Sequence, residues 1–289
     1  MNIKFKITSL FILLGSILFA QNLENSLLWK IEDPQQEKTS YLFGTMHAGC
    51  ELELGNQLKE TLMNSELLLL EINLNDPGVN QEMASQMFMG KGRNLGNLMS
   101  KEDYDLVLNF LHPRLAKQGL DLEFIKKIKP IYLSVMLIPS LFDCDQVTAY
   151  DLLLAKFAQQ IGIDQAGLET VEDQLRVFES IPLKKQAQML VGSARDDGKS
   201  DQKQMLAMAH AYQERDLNRL SEIANEDKGL FIEYEDEILI KRNKNWIPII
   251  KKQMTEFSIF IGVGAIHLVG EQGLINLLRK EGYEVTAMN

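Results

Sequence analysis

The sequence predicts a mixed α/β fold: a central mixed sheet with many covering helices, a helical middle segment, and Gly-x-x-His loops at strand ends. Three observations predict it. Short apolar runs of strand character cluster near the two ends of the chain. The stretch from Asp76 to about Tyr212 is dominated by helical patterns. Two of the strand-like runs end in the same motif, Gly44-Thr45-Met46-His47 and Gly264-Ala265-Ile266-His267.

The elements follow in order. Leu27–Glu32 reads as a strand, Asp33–Lys38 as a polar turn and Ser40–Phe43 as a second strand, which together make a hairpin. Gly55–Asn64 has helical character. Leu67-Leu68-Leu69-Leu70, followed by Glu71, is an apolar run bounded by polar residues, which suits a fully buried strand, with a helix as the alternative. Asp76-Pro77 opens a helix. Ser100 caps another, with Asp103 at its third position. Pro130 begins the apolar helix through Pro139. Ala149–Ile161 has apolar residues at 152, 153, 157 and 161 and stops at Gly162. Ile163–Leu168 is a short strand, and helices resume at Val171–Ser180, Pro182–Ser193 and Gln202–Tyr212. Met189, Met205 and Met208 are core fillers on these helices. Leu217–Ala224 and Phe231–Met254 are helical. The acidic cluster Glu233, Glu235, Asp236 and Glu237 is a solvated helix face. Phe257–Val263 is a strand, Leu268–Glu281 a helix ended by Gly282, and Tyr283–Ala287 a closing strand.

Composition is that of a folded globular protein, with 45% hydrophobic and 24% charged residues in 289, which excludes coiled coil and disorder. Residues 1–20 have Lys4 and Lys6, an apolar run Leu10–Phe19 and a terminal Ala20, the pattern of a secretory signal peptide. An uncleaved anchor is the alternative. The remaining 21–289 reads as a single domain, exported across the inner membrane, with the periplasm as the expected location and no stable membrane insertion after cleavage. Loss of Lys4 and Lys6 from 30 basic residues leaves 28 against 40 acidic ones, a net charge of −12 that argues against nucleic acid and anionic membranes as partners. Cys50 and Cys144 both fall in loop-like sequence. In an exported chain they are either a disulfide or two separate thiols, and the sequence leaves both open.

The chemistry is carried by few residues. Only four histidines occur, and two of them sit in the Gly-x-x-His units. A glycine after a strand permits a sharp turn, and the histidine three residues on stands at the sheet edge where α/β ligands bind. Glu71 and Glu169 each follow a strand-like run, in Leu70-Glu71 and Gly167-Leu168-Glu169-Thr170. Two histidines with one or two carboxylates suit a divalent ion such as Zn, Mn, Co or Fe, and an ion of that kind serves hydrolysis. Plainer readings stand beside this one: a turn next to a core histidine, Glu71 paired with an arginine, Glu169 capping the helix at Thr170. His112, before Pro113, reads as a loop residue and His210 as one on a polar helix face.

Tyr41–His47, Leu67–Glu71, Gly167–Gln174 and Gly262–Gly270 together resemble the TraB/GumN family, related to the Tiki metalloproteases and more distantly to erythromycin esterase and ChaN-like proteins. The resemblance runs from about Leu27 to Val285. Its signature is two Gly-x-x-His motifs with a glutamate and an arginine between them. It carries His47 and His267 over as metal ligands, Glu71 or Glu169 as ligand and general base, and Arg242 as the arginine. Arg242 would hold a substrate carboxylate or an oxyanion, with Asn243 adding a neutral donor and Asp151 a weaker carboxylate candidate. The resemblance implies a mixed α/β fold and an exported metal-dependent hydrolase with a peptide or small-molecule substrate. Two other expectations are a non-catalytic protein sequestering a peptide or haem-like ligand, and a metal-independent esterase-like enzyme with a histidine base.

Overall fold

Leu67–Leu70 is the strand rather than the alternative helix: four consecutive leucines, all buried, are covered on both faces of the sheet. In the computed structural model, which describes residues 23–35, 38–144, 146–226 and 230–288, this run is β4 at the heart of the sheet. The signal peptide expected over 1–20 lies outside the described residues. Among those described, no helix is long and apolar enough to cross a membrane.

The other strands are β1 (Leu28–Glu32), β2 (Thr39–Thr45), β3 (Gly49–Cys50), β5 (Val147–Thr148), β6 (Asp164–Gly167), β7 (Ile259–Gly264) and β8 (Glu284–Met288). Six of the described strands form one sheet in the order β6-β4-β7-β2-β1-β8. The pairs β6-β4, β4-β7 and β7-β2 are parallel, and β2-β1 and β1-β8 are antiparallel, so the sheet is mixed as the sequence predicts. The hairpin Leu28↔Phe43 to Glu32↔Thr39 is the expected one. β3 and β5 form a separate two-stranded ladder.

Helices Tyr150–Ile161, Lys241–Glu256 and Leu274–Lys280 share one core with the sheet, built on Trp29, Phe260, Trp246 and the β4 leucines. A second core lies among the helices of the middle segment, around Leu95, Leu111, Leu115, Leu133 and Leu190. Three details depart from the sequence reading. His112 is helical, in Lys101–Leu115 with Pro113 inside. Burial of Phe110, Leu111 and Leu115 outweighs the backbone bond that Pro113 removes, and the helix ends two residues later. Phe231–Met254 is not one regular helix, since a π-helical turn, Asp236–Ile240, precedes Lys241–Glu256. Leu268 ends a short 3₁₀ turn rather than opening a helix; Gly270, at φ 83°, turns the chain and the helix begins at Leu274.

Candidate functional site

Four adjacent parallel strands run in one direction, so their C-terminal ends share one edge, where ligands bind in such sheets. In strand order they release Glu169 after β6, Glu71 after β4, His267 after β7 and His47 after β2. Pairing continues past β4 and β6: Leu168 N donates to Leu70 O at 2.8 Å and Glu169 N to Glu71 O at 2.9 Å, so the two glutamates emerge side by side. Thr45 lies opposite Gly264 in the β2-β7 ladder. A Cβ on Gly44 would lie 3.0 Å from Ala265 Cα, so the first motif's glycine lets the second motif pack against it.

The sheet edge thus brings together the two motif histidines and the two candidate glutamates of the sequence reading. His47 Nε2 lies 3.6 Å and His267 Nε2 3.8 Å from the same oxygen, Glu71 Oε1. Each imidazole is held by its other nitrogen. His47 Nδ1 donates to Asp151 Oδ2 at 2.8 Å, and Asp151 Oδ1 accepts from Thr45 Oγ1 at 3.0 Å. His267 Nδ1 donates to Asn243 Oδ1 at 2.7 Å. These bonds turn both Nε2 atoms toward the cluster. Gly264 N donates to Glu71 Oε1 at 2.9 Å.

Behind the cluster lies Arg242. Its Nη2 donates to Glu71 Oε2 at 2.5 Å and Glu169 Oε1 at 2.6 Å, its Nε to Glu169, and its Nη1 to Ile238 O and His267 Nε2, both at 3.1 Å. The Ile238 carbonyl comes from the π turn. The guanidinium stacks over Trp246, 4.8 Å from the ring centroid, and Trp246 Nε1 donates to Glu169 Oε2 at 3.2 Å. Gln174 Nε2 reaches Glu71 Oε2 at 3.2 Å.

This geometry alters the roles expected of two residues. The five N–H groups of Arg242 are all engaged within the protein, so the pairing with Glu71 is realised and no donor is left for a substrate anion. Asn243 spends its amide N–H groups on His267 O at 3.1 Å and Gln272 O at 2.8 Å, so it grips His267 rather than facing a substrate. Glu169 does not cap the helix Val171–Glu179; Thr170 does, with Asp173. Sequence reasoning missed Trp246 and Gln174. Trp246 stands four residues after Arg242 on one helix, the spacing at which side chains meet, and that signal was there to be read.

Burial removes water from His267 and, with Arg242 and His47 nearby, pushes its pKa down to about 3, so its imidazole is neutral. Burial also acts against charge on His47, but Asp151 and Glu71 outweigh it and raise its pKa well above the ordinary value. His47 exposes 60% of its side chain, so solvent screens part of that attraction. Burial likewise opposes the Glu71 carboxylate, yet His47 and Arg242 hold its pKa well below the usual range. At Glu169 burial prevails over Arg242 and raises the pKa.

Among the described residues, no group of three or more His, Cys, Asp and Glu side chains is arranged as a metal-holding cluster. In kind, the donors fit one. Ligand atoms about 2.0–2.1 Å from one tetrahedral ion stand roughly 3.3 Å apart, a few tenths of an ångström less than the 3.6 and 3.8 Å that separate Glu71 Oε1 from each Nε2. Gly264 leaves the room: a Cβ there would lie 2.9 Å from His47 Nε2, 3.4 Å from Glu71 Oε1 and 3.6 Å from His267 Cδ2.

A model of the TraB/PrgY/gumN family matches residues 27–287. The chain is 22% identical to Metalloprotease TIKI2 of Danio rerio over 90% of its own length and 60% of the relative's. It is 23% identical to the Metalloprotease TIKI homolog of Amphimedon queenslandica, covering 92% of this chain and 62% of the relative. It is 22% identical to Metalloprotease TIKI1 of Homo sapiens, covering 90% and 61%. The chain thus spans about 60% of the length of these curated relatives. No solved structure matches it.

Proposed function

As the chain belongs to the TraB/PrgY/gumN family, we propose that it is an exported, divalent-metal-dependent hydrolase that cleaves peptide bonds. The observation that carries this reading is the convergence of His47 Nε2 and His267 Nε2 on Glu71 Oε1, with both Nδ1 atoms tied to oxygen acceptors. Export is supported by the leader-like residues 1–20 and by a Cys50–Cys144 disulfide, a bond that persists in oxidising compartments. The peptide substrate is supported by similarity to metalloproteases about 22% identical to this chain.

His47, His267 and Glu71 hold the ion, which when bound supplies Lewis acidity to a carbonyl and acidifies a water molecule. The remaining work belongs to the chain. His267 stays neutral because its burial disfavours charge, so its Nε2 keeps a lone pair, which accepts from Arg242 Nη1 at 3.1 Å and must leave that donor to meet an ion. Glu71 stays ionised between Arg242 and His47, with Oε1 facing the histidines. Glu169, bound by Arg242 and Trp246, keeps the arginine on Glu71; as a base it would first have to release both. Asp151 and Asn243 fix the planes of the two imidazoles.

A second reading rests on one observation: the His47 Nδ1–Asp151 pair of 2.8 Å, on a side chain that is 60% exposed, is the arrangement of a general base that needs no metal. Peptide-library cleavage by the purified full chain, before and after exhaustive chelation, separates the two. Activity lost on chelation and restored by a divalent ion supports the metal reading. Full activity in the chelated protein supports the histidine base and contradicts the metal reading.

A further inference from the structure

The two halves of the cluster are held very differently. His267 is buried, and Asn243 grips it at both ring and backbone. His47 is exposed and belongs to a loop that leaves the main sheet at Thr45. A small separate unit holds that loop. Met46 O accepts from Tyr150 N at 3.0 Å. Gly49 pairs with Thr148 and Cys50 with Val147 in the β3-β5 ladder. Cys50 is bonded to Cys144, whose Cα lies 6.1 Å away and which is 94 residues distant in sequence. The same unit leads into the helix Tyr150–Ile161, whose second residue, Asp151, receives the His47 Nδ1–H.

We infer that the Cys50–Cys144 disulfide and Asp151 form one clamp that positions His47 against Glu71, so that the exposed half of the site is assembled only when the bridge is closed. The inference rests on the proposed ion site for its purpose, not for its geometry. Gly49, Cys50 and Met46 are each fixed to the segment that carries Asp151, through the β5 pairing, the bridge and the Tyr150 amide. Without the bridge, a two-residue ladder must hold the loop alone, and ladders that short are marginal in water. Asp151 supplies the orientation, since its two oxygens are shared between Thr45 and His47.

With four histidines in the chain, the ring N–H protons of the full-length protein can be followed by NMR after selective nitrogen labelling. His47 and His267 should each give a hydrogen-bonded Nδ1–H resonance. In a Cys50→Ser/Cys144→Ser variant the His47 resonance should disappear while that of His267 persists. The affinity for Zn²⁺ alone, measured by competition with a chelating dye, should fall about 10- to 100-fold. With the bridge intact, Asp151→Ala should reproduce both effects, and Asp151→Asn, which keeps an oxygen acceptor, should recover most of the affinity. If the double serine variant does not fold, Asp151→Ala decides alone. Retention of the His47 resonance and of wild-type Zn²⁺ affinity in either variant overturns the clamp. If the wild-type protein binds no Zn²⁺, the ion reading fails, but the His47 resonance still decides the clamp.

Discussion

At Gly264 the missing side chain is as informative as the donors around it. A methyl group there would press on His47 Nε2 at 2.9 Å. His47 is the exposed end of a flexible side chain and can swing away, so Gly264→Ala should cost less than about 1 kcal/mol of stability. It should nevertheless weaken divalent-ion binding at least tenfold, because the ring can move only by leaving Glu71; parallel urea melts and Zn²⁺ titrations test the split. Arg242 is the opposite case. Arg242→Met strands two buried carboxylates, Glu71 and Glu169, and should lower stability by about 3–5 kcal/mol in the same melts.

His267 gives the acid limb of stability. Its folded pKa, about 3, lies below the ordinary 6.5, so the unfolded chain binds more protons between those values and stability falls as pH falls through that window. The slope is at most about 1.4 kcal/mol per pH unit. His47 has the opposite sign, since its pKa is raised: its contribution is complete below 6.5 and is lost as pH climbs through the higher folded value. It is therefore flat across the acid window. Glu71, with a depressed pKa, adds its own loss only below about 4.5, its ordinary value. His267→Gln should flatten the stability profile between pH 6.5 and 4.5, measured by denaturant melts at each pH; an unchanged slope there would assign it to other groups.

At the scale of elements, what the sequence made legible was local. Apolar runs marked β4 and β7, Ser100 marked a helix start, and Gly44 and Gly264 marked strand-end turns. What it concealed was non-local. Arg242 meets Glu71 across 171 residues, a pairing the sequence offered only as one alternative because no periodicity selects it. The π turn at Asp236–Ile240, which brings its Ile238 carbonyl to Arg242, has no sequence signature comparable to a cap or a proline. The disulfide stood undecided for the same reason, because partners 94 residues apart are joined by folding rather than by spacing. A closed loop of that length constrains the unfolded chain strongly, so reduction should lower stability by about 2–5 kcal/mol, read as a shift of the urea midpoint with and without a dithiol.

At the scale of the whole molecule, strand order does what the individual motifs cannot. Taken singly, Gly-x-x-His is a turn with a histidine attached. The order β6-β4-β7-β2, all parallel, places Glu169, Glu71, His267 and His47 in sequence along one edge, although the chain delivers them in the order 47, 71, 169 and 267. Which strands are neighbours was not readable from the residues, since several orders satisfy the same hydrophobic pattern. That two histidines and a glutamate would meet was an expectation carried by the family resemblance, since the residues alone left a turn beside a core histidine equally open. The central claim is that these three side chains hold one divalent ion. Metal content of the full chain after equilibrium dialysis against Zn²⁺, for the wild type and for His47→Ala, His267→Ala and Glu71→Gln, tests it most directly. One ion per wild-type chain, lost in all three variants, is the expected outcome; an ion-free wild type or equal ion content in all four proteins rules the three-residue site out.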